Sequence, residues 1–165
     1  MQFVTIFIKG DDIIITHEQL LLDADKSNIV TKEKNLPISK GRIKGNRIAI
    51  KKSLTETEKK CVMAEELGHY HTTVGNIISQ SSSLDRKQEL HARVWAYNKL
   101  IGLTGIINSH KQGCYSLSDA ADYLEVTEEF LVETLQYYKG KYGTHTTIDN
   151  YVIYFEPSLG VFELV

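Results

Sequence analysis

A chain of 165 residues is long enough to bury a core of its own, and 42% hydrophobic against 24% charged residues is the balance of a soluble globular protein. A net charge of −2 excludes the strongly basic class whose whole surface is built for nucleic acid or anionic lipid, and no apolar run approaches a membrane span. Charge is unevenly placed all the same: residues 31–60 carry ten Lys and Arg against three Glu, +7, which leaves −9 for the remainder.

In chain order, Gln2–Ile8 and Asp12–Thr16 are rich in β-branched and aromatic residues around Lys9-Gly10-Asp11, which predicts a hairpin. Residues 3–8 are too short for a signal-peptide core and lack a basic leader and a small-residue cleavage site. Together with two cysteines, Cys61 and Cys114, that share no ligand or disulfide spacing, this predicts a cytoplasmic protein with reduced thiols. His17–Ser27 reads as a short helix. Ile29–Glu33, Gly41–Lys44 and Arg47–Lys51 read as two or three short strands, with Leu36-Pro37 as a break and Gly45-Asn46 as a tight turn.

Ser53-Leu54-Thr55-Glu56 has the form of a capping box, with Ser53 as the cap, and starts a long amphipathic helix that should run to about Thr73. Gly75–Ser83 is a loop, and Leu84–Asn108 is a second long helix loosened at Gly102 and Gly105. Ser116–Leu124 and Thr127–Lys139 form two shorter helices around Glu125-Val126. Thr147–Phe155 and Val161–Val165 read as a closing hairpin across residues 156–160.

The first long helix carries Ala64-Glu65-Glu66-Leu67-Gly68-His69-Tyr70-His71. Glu65 and His69 are four apart and share a helical face, and Glu66 is rotated from Glu65 by about 100°. Two potential metal ligands flanking a carboxylate match the layout of the H-E-x-x-H metalloprotease helix, with glutamate in place of the first histidine. A catalytic metal centre takes three protein ligands and a neighbouring base. Glu89, near the start of the second long helix, is the best third ligand, because a loop between antiparallel helices can carry it across. Glu66 is then the base.

On composition alone, an acidic pair on a helix is more often a solvated face, and a histidine beside a tyrosine is more often packed. Gly68 shifts that balance. Glycine inside a helix costs about 1 kcal/mol relative to alanine, so either another backbone approaches there or function requires it. His71 and His91, each two residues beyond a ligand position, point away from the shared face and are minor alternatives as ligands.

Residues 64–70 closely resemble the A-H-E-L-G-H-hydrophobe helix of the ImmA/IrrE family of metallopeptidases. Glu89-Leu90-His91-Ala92-Arg93-Val94-Trp95-Ala96 resembles the second signature of that family, E-x-x-A-x-x-F-A, with Trp95 in the aromatic slot. The similarity covers roughly residues 15–110 and reaches weakly into the helices beyond. It implies that His69 and Glu89 are metal ligands, that Glu66 is the catalytic glutamate, and that Glu65 stands at the first ligand position. A carboxylate can hold Zn²⁺ at about 2.0–2.2 Å. Two carboxylates neutralise a divalent cation, whereas two histidines and one glutamate leave it positive, so the centre acidifies water less and tolerates Mn²⁺ more readily.

Ser116–Thr127 is spaced like the first helix and turn of a helix-turn-helix, with Ala120 or Ala121 under the turn and Val126 anchoring it. The helix that would read DNA opens with Glu128, Glu129 and Glu133, which phosphates repel. A structural pair, or an acidic surface for a protein partner, fits better.

The fold expected is α+β and zincin-like, a small sheet on two long helices (residues 1–110), followed by a helical hairpin and closing β-hairpin packed on it (111–165). The resemblance implies a cytoplasmic, zinc-dependent endopeptidase, Mn²⁺ being possible. Its relatives cleave a helix-turn-helix transcriptional repressor, often in prophages and other mobile elements, and so relieve repression. The rival is a peptidase-fold regulator that binds the repressor without cutting it, and a third reading is DNA binding through Thr127–Gly140. No membrane partner is expected, and the sequence leaves the oligomeric state open.

Overall fold

The computed structural model describes residues 14–73 and 82–164. The hairpin expected over residues 2–16 falls almost wholly outside them, as does most of the loop expected over 75–83. Among the described residues the architecture is mixed α+β, and more than half of them are helical.

Helix α1 (His17–Lys26) opens with a capping box: the Thr16 hydroxyl accepts the Gln19 N–H at 3.2 Å, and the Gln19 side chain accepts the Thr16 N–H at 2.8 Å. The chain then forms β1 (Val30–Lys34), β2 (Gly41–Lys44) and β3 (Arg47–Lys51). Gly45, at φ +58°, makes the turn that lets β2 and β3 pair antiparallel, as its place between them predicts. β1 pairs parallel with β3, so the order in the sheet is β1-β3-β2, and among the described residues β2 is an edge. Ile48 and Ile50 point from β3 into the core.

Helix α2 (Glu56–Thr73) begins two residues later than the sequence suggests. Thr55, not Ser53, is the cap: its hydroxyl accepts the Glu58 N–H at 3.2 Å, and Glu58 returns a carboxylate to the Thr55 N–H at 2.9 Å. T-x-x-E at 55–58 satisfies the same rule as S-x-x-E at 53–56, and the register that continues into a packed helix wins. Nor is α2 amphipathic. Lys59 through Ala64, then Leu67 and Gly68, are all buried, because neighbours cover it on several sides.

The second long helix is two. Helix α3 (Ser82–Leu100) ends at Ile101, and α4 (Gly102–Lys111) starts on Gly102 at φ +59°, a left-handed residue that breaks the helix rather than loosening it. Gly105 stays helical, where Leu124 packs against it. Helices α5 (Leu117–Leu124) and α6 (Glu128–Tyr142) follow as expected, with Ala120, Ala121 and Val126 all buried between them.

The closing hairpin is instead a three-stranded sheet, β4 (His145–Ile148), β5 (Tyr151–Tyr154) and β6 (Gly160–Glu163), antiparallel in that order. Asp149 turns left-handed at φ 50° and divides what reads as one strand, Thr147–Phe155, into two. Leu20, Ile48, Met63, Leu67, Ile106, Leu131, Tyr138 and Ile153 are among the fully buried side chains of a single core cluster.

Candidate metal centre

The site lies where α2 crosses α3, and Gly68 sets the distance between them. A Cβ there would sit 2.2 Å from the Ala92 carbonyl oxygen, so the two backbones meet at this point. That approach is the first of the two explanations an interior glycine offers. One residue beyond Gly68 on α2 is His69. Three residues before Ala92 on α3 is Glu89, and their side chains meet, with His69 Nε2 3.3 Å from Glu89 Oε2.

Glu66 faces the edge strand. It accepts the backbone N–H of Ile43, and β2 comes so close that a Cβ on Gly41 would lie 2.6 Å from Glu66 Oε1. Burial pushes the Glu66 carboxyl up to about 7, with Glu65 and Glu89 adding repulsion and the Ile43 N–H opposing them. Glu65 is also pushed up to about 7 by burial. Arg93 opposes the shift, Glu133 and Glu89 reinforce it, and Lys40 opposes it more weakly.

Two residues absent from the sequence-based site stand at its centre. Arg93, one helical turn beyond Glu89 on α3, donates from Nε to Glu89 Oε1 at 3.0 Å. Its Nη1 lies 3.6 Å from Glu133 Oε2, on α6. Glu133 is itself held by the Tyr97 hydroxyl, which donates to Oε2 at 3.0 Å. The i,i+4 spacing of Glu89 and Arg93 is a sequence signal for their pairing. Glu133 arrives from a distant helix and gives no such signal. Beside Glu65, between α2 and α6, is a cleft of about 180 Å³ whose wall includes Lys40, Cys61, Arg93, Phe130 and Glu133.

His71 stacks on Trp95, with centroids 4.9 Å apart and planes 24° apart, and is exposed, as is His91. Neither shares the contact between His69 and Glu89.

The sequence profile of the peptidase M78 family, described as the IrrE N-terminal-like domain, matches residues 24–136, more than half of the chain. The chain belongs to this family. No curated protein matches it. The M78 family is one of metallopeptidases, so a metal cofactor is implied. The donors suit one in chemistry, an imidazole with carboxylates that bind divalent cations. Two of the three, His69 and Glu89, are already side by side. Among the described residues, however, no three His, Cys, Asp or Glu side chains gather into a coordinating group. Glu65 shares the electrostatics of the pair without closing the set, and the cation that the acidic side chains do hold is Arg93. No helix among the described residues is long and apolar enough to cross a membrane.

Proposed function

We propose that this M78 peptidase is a metal-dependent endopeptidase that cleaves a helix-turn-helix transcriptional repressor and so relieves repression. Glu65, His69 and Glu89 would hold the metal, zinc or alternatively manganese. The observation that carries the reading is the contact of His69 with Glu89 across α2 and α3, beside a half-buried Glu66 whose carboxyl is pushed up. When bound, a divalent cation supplies Lewis-acid polarisation of the scissile carbonyl and acidifies water.

The chain's own residues supply the rest. Glu66, with its carboxyl brought to about 7 by burial, takes a proton from the attacking water and returns it to the leaving amine. The Ile43 N–H holds one face of that carboxylate, and Gly41 leaves room for it. The cleft beside Glu65 offers carboxylates and a guanidinium to a substrate side chain. The repressor as substrate, a cytoplasmic location and a zincin-like core all rest on the resemblance of residues 64–70 and 89–96 to the ImmA/IrrE motifs.

A second reading is favoured by the Glu65 carboxylate at the first ligand position and by the Arg93–Glu89 pair. On that reading the chain binds the repressor through the peptidase fold without cutting it. One substitution separates the two. Glu66→Gln preserves shape and any metal. Loss of repressor cleavage and of derepression, with metal content unchanged, supports the peptidase; derepression that survives the substitution supports the binder.

A further inference from the structure

We infer that Arg93 competes with a divalent cation for Glu89, and that Glu133 is the carboxylate to which the guanidinium withdraws when the cation binds. The inference rests on the metal site proposed above. Both Glu89 oxygens are engaged by side chains, Oε1 by Arg93 Nε at 3.0 Å and Oε2 by His69 Nε2 at 3.3 Å. The guanidinium stands among Glu89, Glu133 and Glu65, so it supplies positive charge where a metal would.

Arginine does not lose its proton in a protein, so Glu89 can be freed of it only by movement of the side chain. The acceptor for that movement is in place. Glu133 Oε2 is 3.6 Å from Arg93 Nη1, longer than a formed hydrogen bond, and is fixed by the Tyr97 hydroxyl. A small rotation trades the loose contact for a close one and releases Glu89. With the metal bound, Arg93 then neutralises Glu133 instead of repelling the cation from the ligand position. Because Glu133 belongs to α6, the seating of that helix sets the ease of the exchange.

Zinc affinity measured by competition with a chromogenic chelator tests this on the full chain. The variants are Arg93→Met, Arg93→Gln, Glu133→Gln, the double variant R93M/E133Q, and His69→Ala. Arg93→Met and Arg93→Gln should bind zinc roughly two- to fivefold more tightly, the scale of one partly exposed ion pair. Glu133→Gln should bind several-fold more weakly, and the double variant should match R93M, because Glu133 acts only through Arg93.

Affinity unchanged or lowered in both Arg93 variants would overturn the competition and make Arg93 a positioning residue for Glu89. A double variant weaker than R93M by the full Glu133→Gln factor would overturn the role of Glu133. Failure of the underlying metal site reads differently: wild type and His69→Ala would be indistinguishable in zinc binding, whatever the Arg93 variants do. Using two Arg93 replacements, one apolar and one polar, separates loss of the guanidinium from a packing defect in either.

Discussion

The Ala92 carbonyl oxygen lies where a side chain on Gly68 would begin, 2.2 Å from its Cβ position, and this one contact holds α2 and α3 at the separation that joins His69 to Glu89. Gly68→Ala sets two effects against each other. Helix propensity favours alanine by about 1 kcal/mol. Overpacking costs about 1–3 kcal/mol, and more where the obstacle is backbone that cannot change rotamer. The steric effect should win. Urea unfolding should show a net loss on the order of 2 kcal/mol, and zinc affinity at the proposed centre should fall with it as His69 and Glu89 are parted. A more stable variant would mean that the helices do not meet here.

The start of α2 offers a test of register. Thr55→Ala removes the hydroxyl that accepts the Glu58 N–H and should lower stability by about 1 kcal/mol. Ser53→Ala, two residues away and exposed, should stay within about 0.5 kcal/mol of wild type. Thermal unfolding of the two variants side by side checks both, and the reverse ranking would place the cap at Ser53.

Lys60 is 2% exposed, and its ammonium donates to the Leu124 carbonyl at the end of α5 at 2.8 Å, with Glu125 Oε2 3.5 Å away. Burial lowers its pKa, and Glu125 partly opposes this. Lys60→Met keeps the apolar stem and relieves the desolvated charge, but leaves that carbonyl without this donor, a loss of about 1–3 kcal/mol. Lys60→Ala adds a cavity and should cost more. Denaturant midpoints for the pair separate the hydrogen bond from the packing.

Stability of metal-free protein should depend on pH with an unusual sign. Burial raises the Glu65 and Glu66 carboxyls from an ordinary 4.5 to about 7, so the folded state keeps protons that the unfolded chain has already released. Stability is therefore greatest below the unfolded value and falls as pH rises through the folded one, by an amount on the order of a few kcal/mol for the two groups together. Urea midpoints measured between pH 4.5 and 8 in chelator should fall across that window. Glu65→Gln and Glu66→Gln should each flatten the slope. A wild-type curve that is already flat would mean that both carboxyls ionise in their usual range.

How much of this was legible follows from what each feature depends on. β2 and β3 could be read to the residue because Gly45-Asn46 dictates the turn between them, and the body of α2, though not its cap, because its apolar content is local. The approach at Gly68 was readable too, since an interior glycine costs stability unless something needs its space. The errors arose where two local signals competed. T-x-x-E overlapped S-x-x-E at the start of α2, and Asp149 interrupted a run of β-formers that otherwise read as one strand. Gly102 reads locally as a weak helix residue, whereas its positive φ ends α3. Glu133 was out of reach altogether. Its acidity was legible only as a reason for α6 to avoid DNA, and its pairing with Arg93 and Tyr97 exists only after α6 has packed beside α3.

The burial of α2 has a consequence for how this protein can change over generations. From Lys59 to Gly68 every side chain is either buried or, at Glu65 and Glu66, part of the candidate centre, so this stretch has no outward face on which substitutions accumulate unnoticed. In a deep mutational scan it should stand out as a continuous intolerant block, ten positions long, without the three-to-four-residue rhythm of relief that an ordinary surface helix shows. A new residue at position 65 is then tested at once against Arg93, Glu89 and the fold itself. Drift at the centre of this helix has no silent intermediates.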